Sequence, residues 1–305
     1  MKQKCNIFLC CLIFLAITMI CKNTYATEQE NEEETAKVEE GFYIIESAMD
    51  SSKVIDLNGF NKTNKENIQL WSKNYGSNQI FELIYDKKTS SYIIKSAYSG
   101  KVFDLEWGSK KEETNVEVYE NNNVDWQKWN IQKTDDGYYS IKSLYSGLYL
   151  DVRGNQTYNG TNIEVYGWNN GKNQKFLFKK INLPKNCDDV ENGFYQMELA
   201  KKSGKLIEID GASKKDYALV SVWPNNSRSH QKFIINKKEN GYYSVKNLNS
   251  DLYLEAVGTR IKQTNQDKNT IAQDWILVKN EDGYYNLVTR CGGLYLNYVE
   301  NFGIT

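Results

Sequence analysis

Gln79-Ile80-Phe81, Gln127-Lys128-Trp129 and Gln174-Lys175-Phe176 repeat one short pattern, in which a glutamine stands two residues before an aromatic residue. The same pattern returns at Gln231-Lys232-Phe233 and Gln273-Asp274-Trp275. Repetition at a period of roughly 40–50 residues indicates supersecondary units that share a core. The sequence therefore predicts an array of similar units and not one irregular domain.

Two further signals precede the glutamine within a unit. The unit opens on an aromatic doublet, as in Gly137-Tyr138-Tyr139, and then carries an acidic residue between two apolar residues. The acidic steps are Ile55-Asp56-Leu57, Phe103-Asp104-Leu105, Leu150-Asp151-Val152, Ile207-Glu208-Ile209 and Leu254-Glu255-Ala256, and the sixth copy has Leu296-Asn297-Tyr298. Six copies divide into two groups of three, which predicts two lobes with pseudo-threefold symmetry.

Short strands account for the pattern within a unit. Apolar and polar residues alternate in runs such as Tyr139-Ser140-Ile141-Lys142, and clusters of Gly, Asn, Asp and Ser separate these runs. No stretch keeps the 3.6-residue period of an amphipathic helix. An all-β protein of short strands and turns is expected, and its strands must close on themselves to avoid unpaired edges.

The amino terminus has the features of an export signal, so residues 1–26 are expected to be a signal peptide. Lys2 and Lys4 precede an apolar stretch from Ile7 to Ile20, and small residues follow at Thr24 and Ala26. An uncleaved membrane anchor is the alternative interpretation. Cleavage after Ala26 would make the mature protein a secreted, extracellular one.

The remaining chain divides by composition and by repeat. Residues 27–40 are acidic and poor in large apolar side chains, which is typical of a disordered leader. Residues 41–183 hold three repeats and form the first predicted lobe. Residues 184–192 match no repeat position and are interpreted as a linker. Residues 193–305 hold two and a half repeats, so the second lobe is expected to be truncated.

Composition excludes several classes of function. The formal net charge is −1, and loss of the signal peptide removes three lysines, so nucleic acid is not an expected partner. One histidine, and the absence of nucleophile or zinc motifs, argue against catalysis, a cofactor or a metal site. Cys187 and Cys291 are the cysteines that remain after export, and the sequence leaves open whether they form a disulfide.

The repeated Gln-x-aromatic pattern with its upstream acidic residue resembles the ricin B-type lectin family, over nearly all of the mature chain. The resemblance implies two tandem β-trefoil lobes, in which each Gln-x-aromatic packs inward. A looser similarity connects the tandem arrangement with haemagglutinin components of clostridial toxin complexes.

The resemblance also implies where a sugar would bind. The acidic residue accepts hydrogen bonds from two sugar hydroxyls, and a carboxylate makes stronger bonds of this kind than a neutral acceptor. An aromatic residue 15 positions later stacks on the apolar face of the sugar ring. An asparagine before the motif's glutamine adds a hydrogen bond, and that glutamine and the residue 13 positions after the acid steady the site.

Repeats one and three carry every residue type that the family uses. Repeat one has Asp56, Gln69, Trp71, Asn78 and Gln79, and repeat three has Asp151, Glu164, Tyr166, Asn173 and Gln174. Repeat two has Asp104, Glu117, Tyr119 and Gln127, but Trp126 replaces the asparagine, which predicts a weaker site or a different sugar. In repeat four, Glu208 and His230 replace the aspartate and the asparagine, and repeat five lacks an aromatic at the required step. We expect no sugar site in either.

The function expected from the sequence is that of a secreted, non-catalytic lectin that recognises galactose-type or related glycans, mainly through repeats one and three. Such sites bind single sugars at about millimolar affinity, and several on one body raise the avidity for clustered glycans. The alternative is a protein-interaction or toxin-complex component that uses the trefoil as a docking scaffold. A glycosidase is a third class, but no segment outside the repeats is long enough for a catalytic domain.

Overall fold

Twelve strands between Gly41 and Lys180 form one sheet in the computed structural model, which describes residues 37–185, 187–200, 204–296, 298–299 and 303–304. The predicted signal peptide and most of the predicted leader lie outside the described residues. The strands are β1 (Gly41–Ser47), β2 (Asp50–Leu57), β3 (Glu66–Ser72), β4 (Phe81–Asp86), β5 (Ser91–Ser96), β6 (Val102–Leu105), β7 (Thr114–Tyr119), β8 (Trp129–Lys133), β9 (Tyr139–Ser143), β10 (Tyr149–Val152), β11 (Thr161–Tyr166) and β12 (Phe176–Lys180).

Six of these strands close a ring of antiparallel pairs. The pairs run β1–β4, β4–β5, β5–β8, β8–β9, β9–β12 and β12–β1. The other six strands form the hairpins β2–β3, β6–β7 and β10–β11, whose second strands pair with one another. A six-stranded barrel closed at one end by three hairpins is a β-trefoil, and it leaves few exposed strand edges.

The aromatic residues that close the repeats fill the core of the barrel. Phe81, Trp129 and Phe176 are fully buried, one from each repeat of the first lobe. Phe103 lies between two of them, with ring centroids 5.1 Å from Phe81 and 6.4 Å from Trp129. The inward packing that the resemblance implied is therefore present.

The second lobe repeats this plan over the residues described. Its strands are β13 (Gly193–Tyr195), β14 (Lys205–Ile209), β15 (Val220–Pro224), β16 (Phe233–Lys237), β17 (Tyr243–Asn247), β18 (Tyr253–Val257), β19 (Arg260–Thr264), β20 (Trp275–Lys279), β21 (Tyr285–Thr289), β22 (Tyr298–Val299) and β23 (Gly303–Ile304). Ring pairings run β13–β16, β16–β17, β17–β20 and β20–β21, and β14–β15 and β18–β19 are hairpins.

Short 3-10 turns stand at two places in the repeat, and the described residues contain no α-helix. Four turns end on the glutamine of the motif: Ser77–Gln79, Asp125–Gln127, Lys172–Gln174 and Ser229–Gln231. Three follow the acidic strand: Glu106–Gly108, Arg153–Asn155 and Asp210–Ala212. Among the described segments, no helix is long and apolar enough to cross a membrane.

The two lobes are in direct contact within one compact unit, Glu40–Thr305. The Ser77 amide donates to the Gly258 carbonyl at 3.1 Å, and the Gly258 amide donates to Ser77 Oγ at 2.9 Å. Lys62 Nζ lies 2.8 Å from Glu255 Oε1, so an ammonium of the first lobe meets a buried carboxylate of the second. These contacts fix the first repeat against the fifth.

The segment between the lobes and its cysteine also pack on the second lobe. The Asp188 amide donates to the Leu277 carbonyl at 2.8 Å, and the Leu277 amide donates to Cys187 Sγ at 3.4 Å. Cys187 and Cys291 are both free thiols, which answers the question that the sequence left open. Cys291 is buried, and its thiol donates to the Ser77 carbonyl at 3.7 Å.

Candidate functional site

Hairpin register brings the residues named from the sequence together. Asp56 is opposite Gln69 in the β2–β3 pair, and Trp71 follows two residues later on the same face of the hairpin. The β6–β7 pair sets Asp104 opposite Glu117, and the β10–β11 pair sets Asp151 opposite Glu164. The offsets of 13 and 15 residues are therefore consequences of the hairpin. We call the surface at each acidic residue of the first lobe the first, second and third notch.

In the first notch, amide groups converge on one carboxylate. Asp56 Oδ1 accepts a hydrogen bond from Gln69 Nε2 at 2.9 Å, and Oδ2 accepts from Asn78 Nδ2 at 2.9 Å and from Gln79 Nε2 at 3.0 Å. Asp56 is 2% exposed, while Trp71 keeps 37% of its surface exposed. A fixed carboxylate beside an accessible aromatic ring is an arrangement that can hold a ring bearing hydroxyl groups.

A glycine makes room for the asparagine of the notch. A Cβ atom at Gly76 would lie 2.8 Å from Asn78 Oδ1, and one at Gly171 would lie 2.3 Å from Asn173 Oδ1. Repeat two has Val124 at this position and Trp126 in place of the asparagine. The glycine two residues before the asparagine is thus a sequence signal for a complete notch, which our sequence analysis did not use.

The third notch is a concave site. A cavity of about 540 Å³ is lined by residues that include Asp151, Glu164, Tyr166 and Asn173. Asn173 Nδ2 donates to Asp151 Oδ2 at 2.7 Å, and Gln174 Nε2 donates to the Gly167 carbonyl at 2.8 Å. Four of the five predicted residues of repeat three therefore line one space, with Tyr166 37% exposed at its side, while Gln174 is fully buried behind it.

The second notch keeps the carboxylate and the supporting glutamine but differs elsewhere. Gln127 Nε2 donates to Asp104 Oδ2 at 2.7 Å, as its counterpart does in repeat one. Trp126 packs edge-on against Tyr145, with ring centroids 5.6 Å apart. Tyr119 is half-buried at the end of β7. The Trp126 side chain also hydrogen-bonds to Asp104. An indole thus takes the place of the amide that the other two notches present.

Repeats four and five use their acidic residues differently. Glu208 Oε2 accepts from Gln231 Nε2 at 2.8 Å and lies 3.3 Å from His230 Nε2. Glu255 is fully buried, accepts from Gln273 Nε2 at 2.8 Å and pairs with Lys62 of the first lobe. The acidic residue of repeat five therefore serves the contact between the lobes.

Sequence reasoning missed the residue two positions after the acid. In repeat three this is Arg153, whose Nε donates to the Glu164 carboxylate in an ion pair. Arg153 lines the cavity of the third notch. Glu113 lines it too, and this residue comes from the preceding repeat. Comparing this one position among the repeats would have identified Arg153. Glu113 carries no such signal, because only the packing of repeats brings it there.

The sequence matches the family described as ricin-type β-trefoil lectin domain-like over residues 33–119, 125–223, 182–259 and 229–301. The chain belongs to this ricin-type β-trefoil lectin family. The four matches extend through both lobes, so the predicted family and the tandem trefoil fold are confirmed. Membership in this ricin-type family points to carbohydrate binding. A search of curated protein sequences found no match.

Solved structures with a similar fold include proteins of different kinds. A designed threefold-symmetric protein is 29% identical over 45% of this chain and 97% of its own, with a TM-score of 0.44. A mosquitocidal holotoxin is 22% identical over 87% of this chain and 32% of the toxin chain, with a TM-score of 0.44. The Macrolepiota procera ricin B-like lectin, solved in complex with lactose, is 22% identical over 47% of this chain and 99% of its own, with a TM-score of 0.41.

Burial governs the electrostatics of this ricin-type lobe. Desolvation raises the pKa of Asp56 to about 6 and that of Asp104 to about 6, although the side chains that hydrogen-bond to each carboxylate oppose the shift. Desolvation, with the nearby charges of Glu106 and Asp104, raises the pKa of Glu117 to about 7. Burial also raises the pKa of Asp151. The described residues hold no group of three His, Cys, Asp or Glu side chains able to bind a metal ion.

These shifts predict that the fold becomes more stable as the pH falls from 8 to 5. A carboxyl group whose pKa is higher in the folded state takes up its proton there first, so stability present at low pH is lost as the pH rises through 6 to 7. We expect a gain on the order of 2 kcal/mol, seen as a rising thermal midpoint. Glu117→Gln should reduce the pH dependence of the thermal midpoint. A midpoint of the unmodified chain that falls steadily from pH 8 to 5 would contradict the predicted gain in stability.

Proposed function

We propose that the protein is a secreted, non-catalytic lectin that binds galactose-type glycans through its first and third notches. The observation that carries the proposal is the cavity of the third notch, where Asp151, Tyr166 and Asn173 line one space of about 540 Å³. A carboxylate, an accessible aromatic ring and an amide are the groups that recognise a sugar by hydrogen bonds and by stacking.

The first notch supports the same proposal by its completeness. Asp56, Gln69, Asn78 and Gln79 are joined by hydrogen bonds of 2.9–3.0 Å, so the carboxylate is held in place before a ligand arrives. Preorganisation of this kind lowers the entropic cost of binding a small ligand. Trp71 then supplies the exposed ring.

Two notches on one rigid lobe favour a multivalent ligand. A single sugar in a shallow site binds at about millimolar affinity, close to −4 kcal/mol. A ligand that reaches two sites gains avidity by a factor of about 10²–10⁴. We therefore propose clustered or branched glycans on extracellular glycoproteins or glycolipids as the partners, with export through the predicted signal peptide.

The decisive experiment is binding of the purified chain to immobilised galactosides, followed by elution with free galactose and, separately, with free glucose. Elution by galactose alone is the expected result. Binding should weaken at pH 5, because Asp56 with a pKa of about 6 then loses its charge. Absence of retention on every galactoside of the panel at pH 7.5 would contradict the proposal.

A further inference from the structure

The second and third notches carry opposite charges at one equivalent position. In the third notch, Arg153 pairs with Glu164, whose side chain is 6% exposed. The equivalent residue of the second notch is Glu106, and it stands near Glu117, the counterpart of Glu164. An arginine that neutralises a buried acid in one repeat is therefore replaced by a second acid in the other.

Glu117 is a buried acid that lacks an internal hydrogen-bond partner. It is 4% exposed, and no described residue donates a hydrogen bond to its carboxylate. Its position is held by Gln69 in the first notch, which donates to Asp56, and by Glu164 in the third notch. A buried carboxylate without a hydrogen-bond donor is costly, and Lys65 acts on Glu117 only through its charge. The second notch can therefore accept a cationic hydrogen-bond donor from outside.

The aromatic residue beside these acids holds a strained conformation. Trp107 has a φ of 58° and is 80% exposed. Four other copies have a glycine at this position, with φ between 58° and 68°: Gly59, Gly154, Gly211 and Gly258. A bulky residue is disfavoured in this left-handed region. Lys65 Nζ lies 3.6 Å from the centre of the Trp107 ring, so the protein's own ammonium already uses this face as a cation–π partner.

We propose that the second notch binds a hexose that carries a free protonated amine, in contrast to the neutral sugars proposed for the other two notches. Asp104 and Glu117 would receive the ammonium in the place that Arg153 takes beside Glu164, and the Tyr119 ring would stack on the pyranose. This inference rests on the proposed function, because it assumes that the hairpin register forms a sugar site.

The charges around Glu117 agree with this assignment. Glu106 and Asp104 raise its pKa and Lys65 lowers it, with a result of about 7. At neutral pH part of the population therefore carries a proton on Glu117, and an incoming ammonium would displace that proton. Binding should accordingly release protons, which makes the calorimetric enthalpy depend on the ionisation enthalpy of the buffer.

The test uses the full chain with Asp56→Ala and Asp151→Ala, in which the second notch alone keeps its carboxylate. Isothermal titration with galactosamine, N-acetylgalactosamine and lysine amide is the measurement. We expect galactosamine to bind at least tenfold more tightly than the other two. Adding Glu106→Arg recreates the Arg153–Glu164 arrangement and should remove that preference, as should Glu117→Gln, while circular dichroism stays unchanged.

Each outcome has a separate meaning. If the unmodified chain binds galactose but the double variant treats galactosamine and N-acetylgalactosamine alike, the amine proposal is overturned and the lectin proposal stands. If lysine amide binds as tightly as galactosamine, the sugar part of the amine proposal is overturned. If the unmodified chain binds no galactoside, the lectin proposal is contradicted. The titration of the double variant with galactosamine still tests the amine proposal separately.

Discussion

Replacing Asp56 and Asp151 together with alanine is expected to abolish retention of the chain on clustered galactosides. Each carboxylate would accept hydrogen bonds from two sugar hydroxyls, and a hydrogen bond to a charged group contributes about 1.5–3 kcal/mol. Loss of that acceptor weakens each notch by about tenfold to a hundredfold. The avidity between notches is then lost as well. Surface plasmon resonance on a galactoside surface measures the effect.

Glu208→Ala is the matched control for this double variant. Glu208 occupies the same hairpin position in repeat four, is 5% exposed and accepts from its own motif glutamine at 2.8 Å. Its removal should disturb the fold about as much as removal of Asp56, yet leave galactoside binding in place. A folded Asp56→Ala, Asp151→Ala chain that still binds galactosides as the unmodified chain does would refute the assignment of these notches.

Lys62→Ala is expected to destabilise the protein by about 3–5 kcal/mol, because it leaves the buried Glu255 without its countercharge. Lys62 Nζ lies 2.8 Å from Glu255 Oε1 and 3.2 Å from Asp267 Oδ2, and the Glu255 side chain is fully buried. Glu255 keeps Thr264 and Gln273 as donors, but neither supplies a positive charge. Urea unfolding followed by tryptophan fluorescence reports the change, since Trp275 is buried in the second lobe.

Two further variants separate the buried pair from an ordinary ion pair. Lys237→Ala breaks an exposed ion pair, in which Lys237 Nζ lies 2.6 Å from Asp189 Oδ1. It should lower the free energy of unfolding by only about 0–1 kcal/mol. Lys62→Ala combined with Glu255→Gln should recover most of the stability, because no unpaired charge remains buried. Equal losses in Lys62→Ala and Lys237→Ala would show that the inter-lobe pair does not stabilise the protein.

Much of the first lobe was predictable because its signals are local. The distance of 13 residues from Asp56 to Gln69 and of 15 to Trp71 belongs to one hairpin, and a hairpin's register follows from its own loop. The Gln-x-aromatic spacing is local too, and it identifies the residues that fill the barrel. The sequence therefore predicted the all-β class, the repeats and the members of the first and third notches.

Contacts between repeats left no such signal. Glu113 lines the cavity of the third notch from the neighbouring repeat, and Lys65 of repeat one acts on Glu117 of repeat two. The strained conformation of Trp107 is a different case, because four other repeats have a glycine at this position and a comparison of the repeats would have shown it. Contacts of this kind would distinguish the notches under the proposals above, and the spacing of residues within one repeat did not reveal them.

The amino-acid sequence by itself determined the trefoil repeats and the carboxylate, aromatic and amide sets, because each set lies within one repeat at offsets fixed by strand pairing. Only the tertiary structure decided that the acidic residue of repeat five is buried against Lys62, and that Glu117 of the second notch is buried without a hydrogen-bond donor. Both depend on how separate repeats and lobes pack. Charges that are distant in the chain meet there at a few ångströms, and burial then sets the energy of each pair.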